Sequence, residues 1–236
     1  MKSPGEDTKA KMVDITKKCL IISGGDFTNK EHIRALTSAG KSGAGADPDS
    51  VFVIACDRGY EHAKKLGITP DVIVGDFDSS DASKAAAAEV LTFPVHKDDT
   101  DTMLAIRHAL SLGYGDIEIC CALGGRLDHL FANIQALGFA AFAEAIIMIS
   151  ADDTSIIAAK GPVKLTVPYE EGRSLSVFSL RDECRGVSIR GTEYEAENTV
   201  LTNTFPIGVS NGWKGKGPAE VSAESGIILV MTCRMP

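Results

Sequence analysis

The sequence predicts an α/β chain in two parts, a parallel-sheet domain over residues 1–150 followed by a smaller all-β sandwich or barrel over residues 151–236. Three observations carry that reading. Short, continuously apolar runs alternate with helix-patterned stretches up to about Ser150. Beyond Ser150 the apolar runs are brief, interrupted by polar residues, and separated by Gly, Pro or Asn. The acidic and glycine residues of the first half fall where those apolar runs end.

The predicted strands of the first half are 19–22, 51–56, 72–74, 90–95, 117–123 and 146–149. Most are apolar without alternation, as in strands buried on both faces of a parallel sheet. Helical spacing predicts helices over 29–38, 60–66, 80–90, 100–112 and 129–143, one between each pair of strands. The stretch 38–50, rich in Gly, Ala, Ser and Asp, reads as a surface loop. In the second half strands are predicted at 163–167, 174–180, 187–189, 193–197, 205–209, 219–222 and 227–232, with no helix.

Composition narrows the function. Asp and Glu number 32 against 24 Lys and Arg, for a net charge of -8, which argues against a nucleic-acid partner or an anionic membrane surface. No apolar run approaches the ~20 residues of a membrane span, and the polar start, 1–18, lacks the apolar core of a signal peptide; the expectation is a cytoplasmic protein. The six cysteines form no Cys-x-x-Cys pair and mostly sit inside apolar runs, so they read as buried thiols and not as a zinc site.

The chemistry collects in five polar loops. Gly24-Gly25-Asp26 follows the first strand, Asp57-Arg58-Gly59 the second and Gly75-Asp76-Phe77-Asp78-Ser79 the third. Lys97-Asp98-Asp99-Thr100-Asp101 leads into a helix, and Gly124-Gly125-Arg126-Leu127-Asp128-His129 follows a later strand. In a parallel sheet such loops lie on the carboxyl edge, where open α/β folds bind ligands. Clustered carboxylates call for a hard divalent cation: Asp76 and Asp78, two apart, each offer an oxygen to one octahedral ion and Asp101 a third, with Mg²⁺ and ATP the economical pair. Glycines leave room for a polyphosphate and helix N-termini present amides to it. Each element has a plainer use, since one Asp at such a junction is commonly an N-cap and a Gly-Gly pair a turn. Capping alone does not account for five loops on one edge.

Two short motifs mislead. Gly40-Lys41-Ser42 has the tail of a P-loop, but Ala35 holds the required glycine position and the segment follows a helix instead of opening one. Asp76-Phe77-Asp78 has the Asp-x-Asp of a phosphatase nucleophile, but it follows the third strand and not the first.

The ordered set resembles the thiamine pyrophosphokinase family: Asp57-Arg58-Gly59 (Asp-Gly-Gly in many members), Pro70-Asp71 leading into Gly75-Asp76-Phe77-Asp78-Ser79, Asp98-x-Thr100-Asp101, Gly124-Gly125-Arg126-x-Asp128-His129, and Ser210-Asn211. The resemblance implies a nucleotide-binding α/β domain, a β-sandwich, and a homodimer whose active sites form between the first domain of one subunit and the second domain of the other. It implies ATP and thiamine as substrates, with Mg²⁺ on Asp76, Asp78 and Asp101. Gly25, Asp57, Arg58, Gly59, Gly124, Gly125, Arg126 and Asp128 line the ATP pocket, with Asp98 in it. Either Asp98 or Asp101 helps take the proton from the attacking hydroxyl. Ser210, Asn211 and Trp213 match the thiamine-facing segment, and an indole face suits a cationic, flat ligand. The alternatives are a Mg²⁺-dependent phosphohydrolase or pyrophosphokinase acting on another substrate, and a non-catalytic sensor of ATP or thiamine. Trp213 has its own alternative, packing on the sandwich.

Overall fold

The computed structural model describes residues 13–38, 50–75, 89–92 and 99–236. By internal contacts the chain divides into two compact units, Met1–Gly125 and Arg126–Pro236.

In the first unit, β1 (Asp14–Ile22), β2 (Phe52–Cys56), β3 (Val72–Gly75), β4 (Glu89–Thr92) and β5 (Tyr114–Cys120) line up in the order β4-β3-β2-β1-β5. All four pairings are parallel. The continuous apolar runs are explained directly: Cys19 to Ile22, Val53 to Cys56 and Val72 to Val74 are all buried to within 2%. The helices α1 (Lys30–Ser38) and α2 (Gly59–Leu66) contribute Ile33 and Ala63 to one core cluster with Leu20, Ile22 and Val53. The third, α3 (Asp101–Leu112), runs along β1, β2, β3 and β5. Its ends obey capping rules: the Thr100 hydroxyl accepts from Met103 N–H at 3.2 Å, and Gly113, at φ 91°, donates to the carbonyls of Ala109 and Leu110.

Two strands are longer than the apolar runs suggest. β1 begins five residues earlier, with Asp14 to Lys18 exposed. β5 begins at Tyr114 because Gly115 lets it lie against the Asp14 backbone, 2.8 Å from where a Cβ would stand. The loop expected over 38–50 and the helix expected over 80–90 fall largely outside the described residues, although Glu89 and Val90 belong to β4.

The second unit opens with α4 (Leu127–Phe142) and β6 (Ile146–Ser150). The remaining strands are β7 (Thr154–Lys160), β8 (Val163–Val167), β9 (Arg173–Ser179), β10 (Glu183–Arg190), β11 (Ala196–Thr202), β12 (Ala219–Ala223) and β13 (Ile227–Arg234). They form an antiparallel row β6-β7-β13-β9 and a second antiparallel sheet β11-β10-β12-β8. Val177 and Val230 from the first and Val187 and Val221 from the second share one core, which makes the unit a sandwich. Residues 151–236 contain no helix.

The structure departs from the sequence reading at three places. The sequence reading missed β7, which pairs antiparallel with β6, because Asp152 and Asp153 break the pattern into a tight turn. The strand expected at 193–197 starts at Ala196 and runs to Thr202, its exposed Glu197 and Asn198 masking the alternation. The stretch 205–209 is not a strand; Phe205, Ile207 and Val209 are exposed. Among the described residues no helix is long and apolar enough to cross a membrane.

Candidate functional site

The carboxyl edge of the first unit is built by close backbone approach. Gly25 N–H donates to the Cys121 carbonyl at 2.7 Å and Asp26 N–H to Leu123 at 3.2 Å, joining the loops after β1 and β5. A Cβ on Gly25 would stand 2.6 Å from the Cys121 oxygen, and one on Gly59 would overlap the Ile22 carbonyl, so α2 starts directly against the end of β1. Asp57, at φ 48°, donates its N–H to Val74 at 2.9 Å, which fastens the loop after β2 to β3. Ser23 and Thr102 share a buried hydroxyl hydrogen bond of 3.0 Å, tying the end of β1 to the first turn of α3. Gly124, at φ 83°, leaves the space into which the Asp26 carboxylate reaches.

The loops after β1, β2 and β5 and the start of α3 therefore stand together, with Gly25, Asp57, Arg58, Gly59, Asp101, Gly124 and Gly125 on them. Asp76, Asp78 and Asp98 lie outside the described residues. Thr100 caps α3 and leaves Asp101 in the first turn, where negative charge is favoured. Asp99 is paired with Arg107 at 2.9 Å. Arg58 is exposed, in ordinary αR geometry at the N-cap of α2 and beside Gly24.

Arg126 and Asp128, the next residues along the chain, are exposed and bound to each other through two hydrogen bonds of 3.1 and 2.5 Å. The guanidinium hydrogen bonds hold the Asp128 carboxyl below its usual range. An anion arriving at Arg126 thus meets a cation already oriented by a carboxylate.

Sequence reading missed the residues that brace this edge. His62, 4% exposed, places Nε2 3.0 Å from the Gly25 carbonyl and stacks on Phe27 at 4.5 Å and 3°. Lys30 and Lys65 hold their ammonium groups 4.7 and 5.7 Å from the Phe27 ring centre. A lone His three residues into a helix is the faint sequence signal; Phe27 offers none.

In the second unit, Ser210 is exposed at φ 57° and donates its N–H to the Ser176 hydroxyl at 3.0 Å. Asn211 is buried, and its amide holds the chain together: Oδ1 accepts from Tyr194 N–H at 3.1 Å and Gly212 N–H at 2.9 Å, while Nδ2 donates to Tyr194 at 2.7 Å. Trp213 packs on the sandwich, the alternative given for it: it is 7% exposed, belongs to the sandwich core, and meets Tyr169 edge-on at 6.0 Å. Its Nε1–H is buried without a partner. Trp213→Ala is expected to cost about 3–5 kcal/mol, read from the urea midpoint, and Trp213→Phe less than half of that.

A divalent cation suits the donor set in kind, since Asp76, Asp78 and Asp101 offer only carboxylate oxygen. Among the described residues no three His, Cys, Asp or Glu side chains are grouped to hold a metal ion, and Asp101 is the one member of that set within them.

A parallel sheet with glycine and aspartate loops on its carboxyl edge, followed by an antiparallel sandwich, defines a two-unit α/β-plus-β class of protein. Residues 48–149 match the family model for the thiamin pyrophosphokinase catalytic domain, and residues 163–228 match that for the thiamin pyrophosphokinase vitamin B1 binding domain. The chain belongs to the thiamin pyrophosphokinase family. It is 27% identical over 164 residues to the thiamine pyrophosphokinase of Bacillus subtilis (strain 168), covering 67% of this chain and 76% of that one. Its fold is similar to the crystal structure of a thiamine pyrophosphokinase from Bacillus subtilis (TM-score 0.76, 24% identity, 93% of this chain and 100% of that one). It is similar also to thiamin pyrophosphokinase from Candida albicans (TM-score 0.70, 14% identity, 92% and 89%).

Proposed function

We propose that the chain transfers the pyrophosphoryl group of ATP to thiamine, giving thiamine diphosphate and AMP. The observation that carries this reading is the match of both family models in order along one chain. The carboxyl edge supports it physically, because glycine loops and the start of α3 meet there, and a helix N-terminus favours phosphate.

The thiamine hydroxyl attacks the β-phosphorus in line. Its proton passes to Asp98 or Asp101, and the electron pair of the breaking bond leaves with the α-phosphate as AMP. Asp76, Asp78 and Asp101 would hold Mg²⁺, which when bound neutralises charge on the phosphate oxygens. Gly25 lets the loops after β1 and β5 meet, Gly59 lets α2 close onto the end of β1, and Gly124 makes room for the Asp26 carboxylate. Gly125 leaves open space beside the polyphosphate, Asp57 and Arg58 border it, and Arg126, steadied by Asp128, answers the developing negative charge. Ser210, Asn211 and Trp213 form the thiamine-facing segment, with Ser210 at its surface and Asn211 and Trp213 buried beneath. With three of the four hydrogen-bonding positions of Asn211 already used, its part is to shape that surface. The functional division falls near Ser150, with ATP on the first domain and thiamine on the second. The enzyme works in the cytoplasm as a homodimer with shared sites.

The test is to incubate the protein with thiamine, ATP and Mg²⁺ and to follow AMP and thiamine diphosphate together, with EDTA and thiamine-free controls. Equal, metal-dependent appearance of both products is expected. ADP or phosphate in their place, or nucleotide binding with no product, would overturn the reading.

A further inference from the structure

His62 is a buried imidazole whose presence packing alone does not explain. Its ring is 4% exposed and lies parallel to Phe27 at 4.5 Å. A phenyl ring would fill that place and would not bury a nitrogen, whereas Nδ1 of His62 is enclosed with no hydrogen-bond partner. What the imidazole adds is Nε2, 3.0 Å from the Gly25 carbonyl. A carbonyl oxygen can only accept, so Nε2 carries the hydrogen and donates. Burial lowers the imidazole's affinity for a second proton, the bond to Gly25 opposes this, Lys65 and Arg58 add to the lowering, and Glu61 opposes it. The ring is therefore neutral at pH 7, with its hydrogen on Nε2.

Gly25 is held on both sides. Its N–H donates to Cys121 at 2.7 Å and its carbonyl accepts from His62. Fixing the carbonyl also fixes the peptide that follows, whose Asp26 N–H points to the Leu123 carbonyl. Glycine leaves this peptide free to rotate unless something restrains it, and a rotation would turn the carbonyl oxygen outward. An outward oxygen would repel phosphate.

We propose that His62 is a positioning residue that holds the Gly25 carbonyl back into the fold and so keeps the Gly24-Gly25-Asp26 turn receptive to the phosphates of ATP. This rests on the assignment of that turn to ATP in the functional reading above.

The experiment compares His62→Phe, which keeps the stacked ring and removes the donor, with His62→Gln, whose amide restores a donor near the Nε2 position. KM for each substrate is measured together with the Kd for ATP by calorimetry and the thermal midpoint. The expected result for His62→Phe is a rise of about tenfold in KM and Kd for ATP, the loss of one hydrogen bond's worth of placement, with KM for thiamine unchanged and a midpoint equal or higher. His62→Gln is expected to recover most of the ATP affinity. ATP affinity unchanged in His62→Phe, a parallel rise in both KM values, a His62→Gln no better than His62→Phe, or a His62→Phe that no longer unfolds cooperatively would each overturn the proposal. If the unsubstituted chain makes no thiamine diphosphate, the functional reading fails, yet the calorimetric Kd for ATP still decides the role of His62; a chain that binds no ATP overturns both.

Discussion

Asp101→Asn is expected to lower turnover by on the order of a hundredfold or more while leaving the thermal midpoint nearly unchanged. The fold does not depend on this carboxylate as a cap, because the Thr100 hydroxyl already accepts from Met103. Asparagine keeps the shape and removes the charge; what the helix loses is a favourable interaction with its N-terminus, worth about 0.3–1 kcal/mol. What the proposed site loses is one of its three metal-ligand carboxylates, so the Mg²⁺ concentration for half-maximal rate should rise as the rate falls. Asp76→Asn and Asp78→Asn are expected to behave alike. The internal comparison is Asp99→Asn: Asp99 is engaged by Arg107 of α3 at 2.9 Å, and its loss should change the rate by no more than about twofold. Near-normal turnover in Asp101→Asn would remove it from the ligand set. Equal losses in Asp99→Asn and Asp101→Asn would mean that the segment acts through its shape and not through a specific carboxylate.

How legible the molecule was from sequence depends on which forces leave a local trace. Parallel strands buried on both faces leave continuous apolar runs, and β1, β2 and β3 were found for that reason, whereas β5 alternates through Asp116 and Glu118 and showed mainly in its apolar end. The helix starts were legible within a few residues through helical spacing, although the cap of α3 is Thr100 and not one of the aspartates beside it. The sandwich was harder. β7 hides behind an Asp-Asp turn, and β11 carries Glu197 and Asn198 on an exposed, irregularly paired stretch, so neither presents clean alternation. The exposed Phe205, Ile207 and Val209 imitate a strand that does not form.

The site shows the same division. Glycines and aspartates mark chain reversals, so the loops after β1, β2 and β5 were visible. Which groups brace them is a tertiary fact: Ser23 and Thr102 are 79 residues apart, and His62 reaches Gly25 across 37. Loop composition also left Trp213 open, since Gly, Lys and Asn neighbours say nothing of a ring turned inward onto Tyr169.

Gly59→Ala is expected to cost at least about 3 kcal/mol, seen as a fall in the denaturant midpoint, and to take the activity with it under conditions where the unsubstituted protein is stable. The new methyl would overlap the Ile22 carbonyl oxygen. Neither side can yield cheaply. Ile22 is fully buried and its strand is paired with β2 on one side and β5 on the other, while α2 is anchored by buried His62 and Ala63. The useful control is Gly67→Ala at the other end of α2, where φ is 73° but nothing lies within 4 Å of the added carbon; only the backbone penalty of about 1–2 kcal/mol applies. The same geometry accommodates Arg58. Arg58 sits at φ -59° with its side chain exposed, so that position asks nothing special of the backbone, whereas the next one has no room for any side chain. A Gly59→Ala protein of unaltered stability would show that α2 can lift from β1 freely, and the close approach would then no longer be what sets Asp57 at the edge of the sheet.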